Sequence, residues 1–183
     1  MLEFITSIDH TILMFIQEHL RADWLTPIMR FFTSLGEVGI FWIVLSLVLL
    51  CFKKTRKAGF LALVSLLVCV VITNLGLKNI VARMRPYHRF EDIIPLAAHP
   101  GDFSFPSGHT ASAFAAAGIY IRYMDKRWGI ALIILAAVIA ISRLYLGMHY
   151  PTDVLAGLCT GLLSSWFVYF AAEKIMQRRR QVQ

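Results

Sequence analysis

Five apolar segments, each long enough to cross a lipid bilayer, dominate this 183-residue chain. A spanning helix needs about 20 such residues, and these runs lack the alternation typical of a membrane β-barrel strand. The sequence therefore predicts an all-α fold, a polytopic bundle of transmembrane helices. The segments cover approximately residues 27–52, 58–82, 107–124, 128–147 and 152–174.

A sixth segment, residues 2–20, is less apolar because it contains Glu3, Asp9 and Glu18. Such a helix either lies at the membrane interface or spans the bilayer while packed against other helices. We expect it to span, so that six helices cross the membrane within one membrane-embedded domain, residues 1–183. The segment lacks the basic start and the small-residue cleavage site of a signal peptide, so we expect it in the mature protein.

The charge distribution argues against a nucleic-acid-binding protein, although the formal net charge is +7. Only 16% of the residues are charged and 58% are hydrophobic, whereas a soluble domain usually has about 25% charged residues. The positive charge is divided into short clusters between apolar runs instead of covering a soluble face. We therefore expect a lipid bilayer as the surroundings and no nucleic acid as a partner.

Three basic clusters flank the ends of the apolar segments, at residues 53–57, 122–127 and 174–180. With alternating helices all three fall on one side of the membrane, which the positive-inside rule makes cytoplasmic. The sequence thus predicts a multi-pass cell-membrane protein with a cytoplasmic C-terminus. The long connection 83–106 then lies on the extracytoplasmic side, and a connection of that length is usually functional or disordered.

Two basic side chains lie near the predicted outer end of one apolar segment. Lys78 and Arg85 are seven residues apart, close to two helical turns, so both can point to one face. Either residue alone could extend its charged group to the interface, as basic residues near helix ends often do. Two on one face, on the side where basic residues are disfavoured, indicate an anionic partner.

The run Pro106-Ser107-Gly108-His109 opens the next apolar segment on the same outer side. Pro106 suits the first helical position, and Ser107 can cap the helix or donate its hydroxyl. Gly108 lets the backbone approach a ligand closely, and free amides at a helix start form an anion site. Taken alone, an ordinary N-cap explains this run equally well.

A third cluster contains Arg143, His149 and Asp153, near the outer ends of the last two apolar segments. An arginine at such a depth needs a counter-charge or a bound anion. A carboxylate this close after a histidine can accept its Nδ1 proton and fix the tautomer. A helix-start charge favoured by the dipole explains Asp153 alone, but it leaves Arg143 and His149 unexplained.

All three clusters reach the same outer face, and their chemistry suits a phosphate group. Cations and helix amides stabilise its oxygens, while two histidines suit nucleophilic attack and protonation of a leaving group. We therefore predict phosphoryl transfer on a membrane-embedded substrate. A metal site built from His109, His149 and Asp153 is the competing interpretation, which we disfavour because three nearby cations would repel a metal.

These residues also resemble a known family signature. In order, the chain has Lys78, six residues and Arg85-Pro86; then Pro106-Ser107-Gly108-His109; then Ser142-Arg143, five residues, His149, three residues and Asp153. The pattern resembles the three-part signature of the type 2 phosphatidic acid phosphatase superfamily. The match covers residues 78–153, and the helical layout extends it to nearly the whole chain.

The resemblance implies a role for each matching residue. His149 would attack phosphorus to form a phosphohistidine, Asp153 would orient it, and His109 would protonate the leaving oxygen and later activate water. The phosphate oxygens would be held by Lys78, Arg85, Arg143, Ser107 and the Gly108 amide. The resemblance also implies no metal ion or other cofactor, and an all-helical fold shared with vanadium-dependent haloperoxidases. His88 and His99, in the long connection, are not assigned to the catalytic set.

We thus expect an integral-membrane lipid phosphatase with its site on the extracytoplasmic face. An outward-facing site suits a lipid carrier released outside the cell, such as undecaprenyl diphosphate. Phosphatidylglycerophosphate and phosphatidate are the alternatives, because a phosphate clamp recognises the head and not the tail. A non-catalytic anion or lipid transporter and a vanadium haloperoxidase are the interpretations of another class. No protein partner is indicated.

Overall fold

The computed structural model describes residues 2–98 and 100–181, so His99 lies outside the described residues. The described residues are all-helical, without a β-strand, as the sequence predicts. The helices are α1 Leu2–Phe15, α2 Leu25–Leu35, α3 Ile40–Leu50, α4 Arg56–Val70, α5 Lys78–Val81, α6 Pro86–Arg89, α7 Gly108–Tyr123, α8 Lys126–Tyr145 and α9 Pro151–Gln181. A π turn at Ile16–Leu20 extends α1, another at Val71–Leu77 joins α4 to α5, and a 3₁₀ turn at Glu37–Gly39 joins α2 to α3.

Three helical segments in the described part of the chain are long and apolar enough to cross a membrane, namely Arg56–Arg89, Lys126–Tyr145 and Pro151–Arg179. The bent pair α2–α3 makes a fourth if it is one span. Among the described residues, therefore, length and composition support at most four of the six predicted membrane spans. The helix α1 has only 14 residues, and α7 has only 16.

The apolar segment predicted at residues 27–52 is not one continuous helix. The chain bends by 44° between α2 and α3, because Val38 and Gly39 adopt φ values of 52° and 69°. Glycine reaches this left-handed region without steric cost, whereas a β-branched residue does not. The apolar pattern alone did not reveal that this short turn interrupts the hydrogen-bond ladder.

The helix α7 forms the centre of the bundle and packs against α4, α8 and α9. Every residue from Thr110 to Tyr120 is buried, and most of them are small. Small side chains let membrane helices approach closely. At the contact with α9, a Cβ atom added to Gly157 would lie 2.6 Å from the Ser107 carbonyl oxygen, so only glycine fits there.

Side chains from three helices meet at the basic end of the bundle. The Lys57 ammonium lies 3.3 Å from Glu173 and 4.3 Å from the centre of the Tyr123 ring. The Tyr123 hydroxyl donates to the same glutamate at 2.7 Å. These contacts bring the start of α4, the end of α7 and the distal part of α9 to one end. The connection between α6 and α7 and the turn between α8 and α9 lie at the other end.

The long connection between α6 and α7 is tied to the bundle over its described residues. Gln17 donates to the Asp92 carbonyl at 2.8 Å and accepts from the Ile94 amide at 2.9 Å. Further along, the Leu96 amide donates to the Leu146 carbonyl at 3.0 Å. The Ser104 amide donates to the Arg83 carbonyl at 2.8 Å. The connection is therefore held where it passes the ends of α5 and α8.

Candidate active site

The predicted site residues all lie at the end of the bundle opposite the basic one. They come from different elements, and the bundle brings them together. Lys78 begins α5, Arg85 precedes α6, Ser107, Gly108 and His109 form the start of α7, Arg143 is in the last turn of α8, His149 is in the following turn and Asp153 is in the first turn of α9.

Two of the predicted phosphate-binding cations bind a carboxylate that the sequence did not single out. The Asp102 side chain forms ion pairs with Lys78 and with Arg85, whose Nη2 lies 2.5 Å from Asp102 Oδ1. Burial raises the pKa of Asp102, but the hydrogen bonds from the two cations outweigh it and bring the pKa down to about 2. Lys78 and Arg85 are thus arranged to bind one oxyanion together.

Arg85 connects this oxyanion site to His149. Its Nε donates to the Asp102 carbonyl and its Nη1 to the Met148 carbonyl, both at 3.0 Å. The same Nη1 lies 3.3 Å from Nε2 of His149. The guanidinium is only 3% exposed, so it has one fixed position between the anion and the imidazole.

The hydrogen bonds of His149 determine which ring nitrogen is free to react. Nδ1 lies 2.9 Å from the Ser104 carbonyl, an acceptor only, so Nδ1 carries the proton. Nε2 then holds the lone pair and faces Arg85. In this tautomer the nitrogen with the lone pair faces the same guanidinium that binds the Asp102 carboxylate, a geometry suited to attack on an anion bound there.

Asp153 supports His149 less directly than the spacing suggested. Its Oδ2 lies 3.6 Å from Nδ1, whereas the Ser104 carbonyl is the nearer acceptor. Asp153 instead accepts hydrogen bonds from the Ser104 hydroxyl at 2.5 Å and from the Tyr150 amide at 3.0 Å. Ser104 therefore links the histidine and the carboxylate, which no spacing in the sequence indicated.

The surroundings of His149 favour its neutral form. Burial lowers the pKa of His149 to about 4. Asp153 acts in the opposite direction, while Arg143 and Arg85 disfavour a second cation. The imidazole is therefore neutral, and available as a nucleophile, well below the pH at which an exposed histidine becomes protonated.

The start of α7 forms the next wall of the site. Ser107 caps the helix by accepting from the Thr110 amide at 3.5 Å and from its hydroxyl at 3.0 Å. Pro106 was expected at the first helical position but precedes the cap, so α7 begins at Gly108. A Cβ atom on Gly108 would lie 3.9 Å from the Lys78 nitrogen. The amides at this helix start therefore lie beside Lys78.

His109 and Arg143 line a cavity of ≈ 550 Å³ beside the oxyanion site. Arg143 is 3% exposed and donates to the Thr33 hydroxyl at 2.6 Å. Its Nε has no hydrogen-bond partner among the described residues. His109 packs on Gly36, where an added Cβ would lie 2.7 Å from its ring. An imidazole and a guanidinium thus line this cavity.

The competing interpretation, a metal site, requires several ligand side chains that converge on one point. Within residues 2–98 and 100–181, no three histidine, cysteine, aspartate or glutamate side chains are arranged to hold a metal ion. What the site does offer is a set of cations and helix amides around one position, with a neutral imidazole facing it and a second histidine at its edge. This arrangement suits the transfer of a phosphoryl group.

Comparison with known proteins finds a matching family and similar relatives. The family model of the PAP2 superfamily matches residues 58–177. An undecaprenyl-diphosphatase from Sulfolobus acidocaldarius is 32% identical over 149 residues, which is 81% of this chain and 70% of that protein.

Solved structures share the fold. The crystal structure of a transmembrane PAP2-type phosphatidylglycerolphosphate phosphatase from Bacillus subtilis superimposes with a TM-score of 0.77 at 30% identity, covering 93% of this chain and 87% of that one. A bacterial vanadium-dependent iodoperoxidase superimposes with a TM-score of 0.70 at 17% identity, covering 88% of this chain and 47% of that one. At that identity the second likeness concerns the fold alone.

Proposed function

Because the chain belongs to the PAP2 superfamily and is a membrane lipid phosphatase of that type, we propose that it acts through a phosphohistidine on His149. The observation that carries this proposal is the hydrogen-bond arrangement of His149. Nδ1 donates to a backbone carbonyl, and Nε2 faces the guanidinium that would bind the phosphate. A transporter would need the cations of this site but not an oriented imidazole lone pair.

In the first step, the Nε2 lone pair attacks phosphorus and the bond from phosphorus to the leaving oxygen breaks. That oxygen takes a proton from His109, which lies beside Arg143 at the cavity. The Ser104 carbonyl and Asp153 stabilise the positive charge that develops on the ring of His149. The product is a phosphohistidine and the dephosphorylated lipid.

In the second step, water replaces the lipid. His109 accepts a proton from water, the water oxygen attacks phosphorus, and the bond between phosphorus and Nε2 breaks. Inorganic phosphate leaves, and both histidines return to their starting protonation states. No metal ion takes part in this scheme, because side chains and helix amides hold the charge.

The proposed phosphate-binding groups are Lys78, Arg85, Arg143, the Ser107 hydroxyl and the Gly108 amide. Lys78 and Arg85 already hold the Asp102 carboxylate. A substrate phosphate that binds to them must displace this carboxylate. Because the Asp102 side chain is 48% exposed, it can turn towards solvent when the phosphate enters.

Replacing Asp102 by asparagine is expected to strengthen phosphate binding. The variant removes a negative charge that competes with the substrate for Lys78 and Arg85, so KM and the inhibition constant of inorganic phosphate should both fall about tenfold, equivalent to about 1.4 kcal/mol. Steady-state kinetics with added phosphate measures both constants. Glu91→Gln, which removes an exposed carboxylate from the same connection, is the matched control. A higher KM in Asp102→Asn would show that Asp102 organises the cations instead of competing for them.

For the substrate, we propose undecaprenyl diphosphate, with phosphatidylglycerophosphate or phosphatidate as the alternative. The cavity beside His109 would accommodate the leaving group, and it carries a further cation, Arg30. The Arg30 Nε donates to the Leu96 carbonyl at 2.8 Å. The carboxylate of Glu37 lines the same cavity. A second phosphate next to the leaving oxygen would lie within this partly cationic wall, which favours a diphosphate.

Phosphate release from a panel of substrates tests this choice. We expect undecaprenyl diphosphate to be hydrolysed faster than phosphatidylglycerophosphate and phosphatidate, and a soluble phosphate ester slowest. In Arg30→Gln, KM for the diphosphate should rise about three- to tenfold, because one charged hydrogen bond is lost, while KM for phosphatidate stays constant. Faster release from either phosphomonoester lipid, with no effect of Arg30, would assign the enzyme to the alternative.

We further propose that all six helical segments cross the membrane, with α1 and α7 spanning as parts of the bundle. The basic end would face the cytoplasm and the site the outside. The contacts among Lys57, Tyr123 and Glu173, which gather the basic segments at one end, support this orientation. The enzyme would act alone on lipids of the outer leaflet, without a protein partner.

Labelling of single cysteines tests the orientation. The three native cysteines, Cys51, Cys69 and Cys159, are first replaced by serine. In intact cells an impermeant maleimide should then label Glu91→Cys in the outer connection and leave Lys54→Cys unlabelled until the cells are opened. Labelling of residue 54 from outside would invert the proposed topology.

A further inference from the structure

Arg83 lies between Lys78 and Arg85 in the sequence, yet its side chain takes no part in the oxyanion site. Its Nη1 donates to Asp153 Oδ1 and to the Thr152 hydroxyl, each at 2.7 Å. Its guanidinium also lies over the Tyr150 ring, 3.7 Å from the centre. Arg83 therefore binds the carboxylate of the histidine–aspartate pair on the side away from His149.

A second carboxylate, from the first helix, completes this arrangement. Asp9 of α1 is 1% exposed and accepts from Arg83 Nη2 at 2.7 Å. It also accepts from the Thr152 amide at 3.0 Å and from the Thr152 hydroxyl. The two Nη groups of one guanidinium thus join two buried carboxylates, one on α1 and one on α9.

We propose that Arg83 and Asp9 are positioning residues that hold Asp153 in place and set how strongly its charge acts on His149. A buried carboxylate without a cation would attract the imidazolium form of His149 strongly. A cation without a second carboxylate would cancel the effect of Asp153. With both residues present, Arg83 interacts with two carboxylates and neutralises neither of them fully. Asp153 can therefore still stabilise the positive charge that develops on His149 in the transition state.

This inference rests on the proposed nucleophilic role of His149 and concerns groups that do not touch the phosphate. The charged groups that act on the His149 ring are Asp153 of α9, Arg85 before α6 and Arg143 of α8, and it also interacts electrostatically with His109 of α7. Arg83 and Asp9 act one contact further away, through Asp153. Their removal should therefore shift the ionisation of His149 by less than the one to three pH units that a direct neighbour produces.

Replacing Arg83 and replacing Asp9 should shift the pH profile of kcat/KM in opposite directions. In Arg83→Gln, Asp153 acts with its full charge and favours the imidazolium, so the acidic limb of the kcat/KM profile should move up by about 0.5 pH units. In Asp9→Asn, the uncompensated Arg83 disfavours the imidazolium, so the limb should move down by a similar amount. In both variants kcat should fall about 10- to 100-fold while KM changes little, because the nucleophile is misplaced and the phosphate cradle is intact.

The experiment uses the full-length detergent-solubilised enzyme and the best substrate of the panel, whose own ionisation is common to all variants and cancels in the comparison. Arg83→Lys keeps the charge but cannot reach both carboxylates, so it should lower kcat and shift the limb by less than Arg83→Gln does. Asp92→Asn, which removes an exposed carboxylate paired with His10, is the matched control with unchanged kinetics. Thermal unfolding identifies any variant that fails to fold. Thr152→Val, which removes side-chain hydrogen bonds without changing charge, is then used in place of that variant. It should lower kcat without moving the acidic limb of the pH profile.

Opposite shifts with a reduced kcat support the proposal. Lowered activity with an unmoved limb in both charge variants, or shifts in the same direction, would overturn it and reduce Arg83 and Asp9 to structural contacts. Normal kcat in both variants would also overturn it. A wild-type enzyme without phosphatase activity, or an active His149→Ala, would instead refute the proposed function itself, so the two failures are distinguishable.

Discussion

Replacing His149 with alanine is expected to lower the phosphatase rate by about 10⁶-fold, the size of the loss found when the nucleophile of a covalent mechanism is removed. The imidazole is 1% exposed, and the lone pair of its Nε2 faces the Arg85 guanidinium. Rapid acid-free denaturation during turnover of ³²P-labelled substrate should leave label on the wild-type enzyme that is stable to alkali and lost in acid. The variant should carry none.

A histidine outside the site provides the control for this result. His19→Ala alters an exposed imidazole near the end of the first helical segment and should leave the rate and the labelling unchanged. Full activity in His149→Ala would exclude the covalent mechanism. Label that persists in His149→Ala would place the phosphoryl group on another residue. Full binding of the lipid without any hydrolysis by the wild type would favour the transporter interpretation.

Replacing Arg85 with lysine should lower kcat/KM by about 10²- to 10³-fold, comparable to the loss of a donor from an oxyanion hole. Lysine keeps the charge but not the planar fork. One ammonium cannot bind the Met148 carbonyl, the Asp102 carboxylate and Nε2 of His149 at once. The loss should fall mainly on kcat, because charge alone still attracts the phosphate in the ground state.

An arginine-to-lysine change at the opposite end of the bundle is the control for Arg85→Lys. Arg127→Lys replaces an exposed arginine at the start of α8 and should retain wild-type kinetics. The melting temperature of Arg85→Lys distinguishes a misfolded variant from an inactive one. Wild-type kcat in folded Arg85→Lys would show that the site uses charge without the fork geometry.

The sequence predicted which side chains gather at one end of the bundle better than it predicted the path of the chain that brings them there. The expectation that Lys78 and Arg85 share one helix face was wrong, because α5 ends at Val81 and Arg85 has an extended backbone. The chain turns after Ala82, and this turn brings both cations to Asp102. Asp102 and Ser104 contact the predicted site residues only because the connection between α6 and α7 folds back on the bundle. Nothing periodic marks such a connection, so its two contributions could not be derived from the sequence.

Arg83 shows a different limit of sequence reasoning. It lies two residues before Arg85, and the same pattern of basic residues could have placed both on the phosphate. The chain leaves its helix at Ala82, which has a φ of 45°, and this break directs the two arginines to different carboxylates. Asp9 was part of the weakest apolar segment, where it counted against a spanning helix. Its contacts with Arg83 and Thr152 depend on the packing of α1 against α9, which the apolar pattern does not specify.

The length of α7 sets how far the reaction centre lies from the membrane surface. Its 16 residues span about 24 Å, whereas the hydrocarbon core of a bilayer is about 30 Å thick. With the Arg122 end at one boundary, the start of the helix stops about 6 Å short of the other. In the proposed topology, the amides proposed to bind phosphate would therefore lie about 6 Å inside this boundary, in the outer part of the acyl region. A lipid phosphate would have to sink by about this distance to reach them, and the water for the second step would have to follow it.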